Sequence, residues 1–199
     1  MQIMKKYFKQ KEKNGYTIIE TIIAISIFIV IVMLGIGSLL NANLLHQKSR
    51  DMRSIMDTLN FLMEDMSRNI RVGYNYHCID DGNITSTTPH SCPSGGGGIS
   101  FRSALGGQWV YYGGTGADGK VKVFKSIDGG ATSVQITPDE VVIDAALSGM
   151  AIVGAEPPPG NKEQPFVTIR IAGKITFKGK DTPFSLQTSV SQRLIDIGN

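Results

Sequence analysis

The chain has 199 residues, which is enough for one domain and a membrane anchor, and its 23 glycines indicate many turns. Its net charge of +3 is unevenly distributed, because the first 15 residues carry five lysines and one glutamate and the remainder has a net charge of −1. The body therefore has no basic surface for nucleic acid, and it also lacks zinc-finger spacing and an arginine-rich helix. These properties exclude the common classes of nucleic-acid-binding protein.

The first predicted element is an apolar helix that follows the lysine-rich leader. From Ile18 to Leu40 the polar residues are only Glu20, Thr21, Ser26 and Ser38. As a helix this segment would be about 35 Å long, sufficient to cross a bilayer once. The preceding lysines predict a cytoplasmic N-terminus and an exported C-terminal body. A cleaved secretory signal fits poorly, because its apolar region is shorter and ends at a small-residue cleavage site.

Glu20 is an unusual residue for the beginning of such a helix. A carboxylate in the middle of a bilayer costs about 2.5–3.5 kcal/mol, and less near an interface. One interpretation is that Glu20 lies among the cytoplasmic headgroups and extends its carboxylate into water. The other is that its charge has a function within the membrane.

The residues around Glu20 favour the second interpretation. The run Lys11-Glu-Lys-Asn-Gly15-Tyr16-Thr-Ile-Ile-Glu20 resembles the processing site of type IV prepilins and the related pseudopilins. The resemblance implies that prepilin peptidase cleaves after Gly15 and methylates the new N-terminal amine of Tyr16. It also implies that Glu20 neutralises that amine on a neighbouring subunit, so that neither charge is buried alone. The resemblance implies location in the bacterial inner membrane and assembly from there into a pilus or pseudopilus.

Two departures from the family pattern concern the kind of subunit. Tyr16 stands where the family usually has phenylalanine. Major pilins usually carry a helix-bending proline about twenty residues after the cleavage site, whereas this chain has Gly35-Ile-Gly37 in that neighbourhood. The resemblance therefore implies a straighter helix and a minor pilin or a J-type minor pseudopilin.

The helical pattern continues beyond the membrane as an amphipathic stem. We assign 1–15 to the leader, 16–43 to the membrane and assembly half of the helix, and 44–73 to the stem. Apolar residues recur at three- and four-residue spacing: Met52, Ile55, Met56, Leu59, Leu62, Met63, Met66 and Ile70. A methionine stripe can form a partner groove or a copper site, but more often it faces the protein's own core. Asp65, Arg68 and Arg71 are expected to form solvated pairs on the helix surface.

A Gly/Ser-rich loop is predicted over 74–98, with Gly73 as the helix stop. It contains Cys78 and Cys92, whose proximity in an exported chain predicts a disulfide bond. His77 and His90 leave a zinc site as an alternative, although adjacent His77 and Cys78 would tend to point apart. We therefore expect no cofactor.

Two glycine-rich segments of the body resemble functional motifs but lack part of the pattern. Gly114 to Val121, "GTGADGKV", imitates a phosphate-binding loop, but it has Val121 at the Ser/Thr position and strand-like segments on both sides. The segment "SIDGGAT", 126–132, resembles a sialidase-type aspartate turn, but it occurs once and lacks the usual following aromatic residue. Both are predicted to be hairpin turns.

The remainder, 99–199, is predicted to be an antiparallel β body. Apolar and polar residues alternate in "VTIRIAGKITF", 167–177, and in "FSLQTSVSQRL", 184–194, with "KGKD" as the turn between them. A one-sided sheet needs a cover, which the stem helix can supply. The predicted fold class is therefore α+β, a long N-terminal helix packed on an antiparallel sheet, as in pilins.

The sequence favours a structural role over catalysis. The three histidines are scattered, and neither a G-x-S-x-G nor an H-E-x-x-H motif occurs, so we expect no enzyme activity. The expected partners are prepilin peptidase, the inner membrane, and other pilins or pseudopilins of a type IV pilus or type II secretion system. The alternative is a bitopic, membrane-anchored binding module that does not enter a filament.

Overall fold

The computed structural model describes residues 15–159, 161–177 and 179–193, and it has the predicted α+β class. These described residues form one helix and ten strands: α1 Ile18–Val72, β1 Tyr74–Ile79, β2 Cys92–Gly96, β3 Gly98–Arg102, β4 Gln108–Thr115, β5 Val121–Ser126, β6 Val134–Gln135, β7 Val141–Ile143, β8 Gly149–Val153, β9 Phe166–Phe177 and β10 Lys180–Ser191. The leader lysines and Leu194 lie outside the described residues. The chain divides into two compact units, Met1–Arg50 and Asp51–Asn199.

The described part of the first unit is helical from Ile18 onward and exposes its apolar side chains. Phe28 is 66% exposed and Leu34 is 72% exposed. By length and composition, α1 could cross a membrane. Nothing in the structure surrounds Gly35 or Gly37 where a side chain would extend, so neither glycine is required for packing there.

The second unit has two antiparallel sheets where the sequence predicted one. The first sheet has the order β1-β3-β4-β5-β6, and the second has the order β10-β9-β8-β2, with β7 also paired to β9. The helix supplies a buried stripe to their common core: Leu59, Leu62, Met63, Met66 and Ile70. The prediction that the methionine stripe packs on the protein's own core is confirmed.

The loop predicted over 74–98 is shorter than expected, because β1 and β2 lie within it. One of the glycines that suggested a loop, Gly96, is needed for close packing. A Cβ at Gly96 would lie 2.6 Å from Cys78 Sγ and 2.7 Å from the Ile79 carbonyl oxygen. Glycine at this position therefore lets β2 approach β1.

Candidate functional site

The N-terminal candidate site begins with an exposed peptide bond between Gly15 and Tyr16. Both residues precede the helix, and Tyr16 is 82% exposed. Among the described residues, no atom lies within 4 Å of the position that a Cβ at Gly15 would take.

Thr17 caps the N-terminus of α1. Its Oγ1 accepts a hydrogen bond from the Glu20 backbone N–H at 3.3 Å, and its carbonyl oxygen accepts one from Thr21 N–H at 3.2 Å. Thr17 and Glu20 have the spacing of a capping box, and a carboxylate in the first helical turn also interacts favourably with the helix dipole. The T-x-x-E spacing of Thr17 and Glu20 is the sequence signal for this cap, and it is independent of the assembly role expected for Glu20.

Cys78 and Cys92 form a disulfide bond with their Cα atoms 5.9 Å apart. Cys78 lies in β1 of the first sheet and Cys92 in β2 of the second, so the bond joins the two sheets directly. Both cysteines are buried. The covalent link therefore ties β1 to β2, beside the backbone hydrogen bonds that β1 makes with His90 and Gly97 on either side of β2.

The histidines considered for zinc have other partners in the structure. His77 Nδ1 lies 2.7 Å from the Thr88 carbonyl oxygen, and His90 Nε2 lies 3.1 Å from Asp80 Oδ2. The hydrogen bond with His90 lowers the pKa of Asp80 below its usual value. Within the described ranges, no group of three or more His, Cys, Asp or Glu residues could hold a metal ion.

A polar cluster links the stem part of α1 to the first sheet. Asp65 Oδ2 accepts hydrogen bonds from Lys125 Nζ at 3.1 Å and from Tyr111 Oη at 3.3 Å. Asn69 Nδ2 donates to Tyr111 Oη at 2.9 Å, and Lys125 Nζ lies 4.6 Å from the Trp109 ring centroid. Burial raises the pKa of Tyr111, which keeps the phenol protonated as a donor. Asp65 is therefore a helix-to-sheet contact, and its prediction as part of a solvated helix-surface pair is wrong.

Arg68 behaves as expected for the helix surface. Its guanidinium pairs with Glu64 at 3.1 Å, and both side chains are largely exposed. Such a pair contributes little stability.

Comparisons of the whole chain with protein-family models, curated proteins and solved structures found no match in any of the three.

Proposed function

We propose that the chain is a minor pilin or pseudopilin, a non-catalytic subunit of a type IV pilus or a type II secretion filament. Prepilin peptidase would remove residues 1–15 and methylate the amine of Tyr16. The processed helix would remain in the bacterial inner membrane, with its N-terminus on the cytoplasmic side and its β body outside, until it joins neighbouring pilins.

The observation that carries this proposal is the arrangement of three residues at the start of α1. Gly15 is exposed and no described atom occupies the space of a side chain there, Tyr16 follows it, and Glu20 lies in the first helical turn. A membrane anchor alone needs neither the glycine nor the glutamate. The processing and assembly of a pilin would use both.

The assembly step follows from the electrostatics of the processed end. Cleavage after Gly15 creates a positive amine at Tyr16, close to where the apolar helix enters the bilayer. Packing against other helices removes this amine from water, which is costly unless an opposite charge approaches it. Glu20 of a neighbouring subunit would supply that charge, while Glu20 of the same chain remains at its own helix terminus.

The exposed apolar surface of the first unit is consistent with this role. Its side chains along Ile18–Leu45 are exposed, including Ile31 at 62% and Leu39 at 72% exposure. In the proposed assembly, lipid covers this surface before incorporation and neighbouring helices cover it afterwards.

Mass spectrometry of the protein extracted from membranes tests the processing step. The proposal expects a mature chain that begins at Tyr16 and carries one methyl group on its amine. A Gly15→Val variant should retain the leader and stay in the membrane, because the larger side chain obstructs the peptidase cleft. An intact leader on the unaltered protein, or a start at another residue, would contradict the proposal and favour the anchored binding module.

A further inference from the structure

A groove of about 540 Å³ lies against the second sheet. We call it the Arg170 groove; its lining includes Ser94–Gly97, Ala145–Gly149, Thr168, Arg170 and Gln187. Arg170 is on β9, opposite Gln187 of β10 on one side and Gly149 of β8 on the other. The groove is therefore lined by the four adjacent strands β10, β9, β8 and β2, together with the segment before β8.

Arg170 has a free positive charge in this groove. None of the described residues forms a hydrogen bond or ion pair with its guanidinium, and the neighbours opposite it, Gln187 and Gly149, are not acidic. Lys174, four residues along the same strand, pairs with Asp181 at 2.6 Å. Asp80 also lines the groove, but its carboxylate is in contact with His90. Of the two cations on this part of β9, Lys174 is therefore paired with a carboxylate and Arg170 is available to a ligand.

An apolar recess of about 110 Å³ adjoins the groove and shares Gly97, Ala145, Gly149 and Arg170 with its lining. Its walls include aliphatic side chains from both sheets: Val121, Val123, Ile143, Met150 and Ile171. For comparison, a cavity of about 150 Å³ can hold a benzene ring. The recess is somewhat smaller than that, so it suits one aliphatic side chain. A Cβ at Gly149 would lie 3.0 Å from the Gly96 carbonyl oxygen, so β8 approaches β2 closely beside the recess.

We propose that the Arg170 groove binds the C-terminal residue of a peptide, with the carboxylate on Arg170 and an aliphatic side chain in the recess. A guanidinium matches a carboxylate with two parallel hydrogen bonds. The apolar recess would hold the aliphatic side chain of the C-terminal residue. The much larger groove, whose lining includes Ser94, Gln187 and the glycines Gly95–Gly97, has room for the preceding peptide units. This inference does not depend on Gly15 or Glu20.

Fluorescence polarisation with the full-length protein in detergent micelles tests the site. The probe is a six-residue peptide that ends in leucine, with fluorescein on its N-terminus and a free C-terminal carboxylate. We expect saturable binding, weakened about tenfold or more by Arg170→Gln because a charge-assisted contact is lost. Ala145→Trp should also abolish binding, since exposed Ala145 lies at the mouth of the recess.

Matched controls separate recognition from general charge. Lys162→Gln removes another exposed positive charge outside the groove and should leave the affinity unchanged. The same peptide with a C-terminal amide should bind at least about tenfold more weakly. Equal binding of the amide, or of the Arg170→Gln variant, would overturn the proposal. Unlabelled peptide and N-acetyl-leucine are also compared as competitors of the labelled probe. If N-acetyl-leucine displaces the probe at the same concentration as the unlabelled peptide, the assignment to a peptide is overturned and the ligand is a small carboxylate.

Discussion

Asp65 on the stem part of α1 lies 3.1 Å from Lys125 on β5, measured from Oδ2 to Nζ. The residues are 60 positions apart in the chain, and the contact joins the helix to the first sheet. The Lys125 ammonium also lies over the Trp109 ring, so three kinds of side chain meet at this point. Among the described residues, Asp65 is therefore a polar anchor of the helix beside the apolar stripe.

The first prediction concerns this anchor. Asp65→Asn keeps a side-chain acceptor but removes the charge, and we expect it to lower the free energy of unfolding by about 1 kcal/mol, discounted for the partial exposure of both side chains. Urea unfolding of the detergent-solubilised chain measures this, with fluorescence of Trp109, the single tryptophan, as the probe. Asp57→Asn, an exposed aspartate on the same helix, is the control and should have almost no effect. Equal stability of the Asp65→Asn variant would show that the contact does not anchor the helix.

The second prediction concerns the bond between the sheets. Cys78 and Cys92 are 14 positions apart, and in the chain-entropy model a cross-link of that span stabilises the fold by about 3 kcal/mol. The double variant Cys78→Ala, Cys92→Ala should lose about this amount in urea unfolding. A reducing agent should destabilise the unaltered protein and have no effect on the variant.

Alkylation provides an independent test of the same bond. Protein isolated without a reducing agent and treated with an alkylating agent should remain unmodified at both cysteines. Modification of both cysteines would show that the thiols are free, and a stoichiometric zinc signal would support the metal alternative.

The third prediction concerns acid stability and the turn after β5. Thr132 donates hydrogen bonds to Asp128 from its hydroxyl and from its backbone N–H, and Ser126 donates from its hydroxyl. These bonds lower the pKa of Asp128 from 3.8 to about 2. Because the folded-state pKa is lowered, the stabilisation is fully present above pH 4 and is lost as the pH falls through about 2.

Asp128→Asn should therefore flatten the dependence of stability on pH in this window, although the turn itself is exposed. The measurement compares urea midpoints of the unaltered protein and the variant at several pH values between 2 and 5. The midpoint difference should shrink as the pH falls. A difference that stays constant across this range would mean that the charge of Asp128 is not what stabilises the turn.

Local patterns predicted the helix and the long C-terminal hairpin well. The alternation in 167–177 corresponds to β9, Phe166–Phe177, and the glycine of the predicted turn, Gly179, has a φ of +76°. Gly73 follows the last helical residue, as predicted. These features are encoded by neighbouring residues, so a single sequence reveals them.

Features that depend on distant contacts were not predicted. The division into two sheets depends on which strands pair; β2 pairs with β8, for example, although both strands are short and contain glycine. Lys122 is another example, because its Nζ is buried and donates to the carbonyl oxygens of Asp139 and Val141, each at 2.7 Å. Nothing in "KVKVF" distinguishes this lysine from its exposed neighbour Lys120.

The N-terminal site shows both cases at once. The spacing of Gly15, Tyr16 and Glu20 was visible because the motif is contiguous. The cap formed by Thr17 is equally local. The sequence-based interpretation of Glu20 considered only its cost in the membrane and its role in assembly, and did not include the cap. Glu20 thus has two candidate roles, one within its own helix terminus and one toward a neighbouring subunit.

Three variants distinguish these roles. Glu20→Gln removes the charge but keeps a side chain suited to the capping box, whereas Thr17→Ala removes the cap and keeps the charge. Loss of the cap costs about 1 kcal/mol, whereas leaving a buried amine without its counter-charge costs about 3–5 kcal/mol. Glu20→Leu removes both contributions of the glutamate.

The most direct test of the assembly proposal is the amount of each processed variant that crosslinks in membranes to other subunits carrying the same N-terminal motif. We expect all three variants to be cleaved after Gly15 and to remain in the membrane. Glu20→Gln and Glu20→Leu should both lose co-assembly, by about a hundredfold or more, while Thr17→Ala stays near the unaltered level. Normal co-assembly of processed Glu20→Gln protein, with a loss in Thr17→Ala, would show that Glu20 serves only its own helix and would contradict the proposed pairing with the Tyr16 amine.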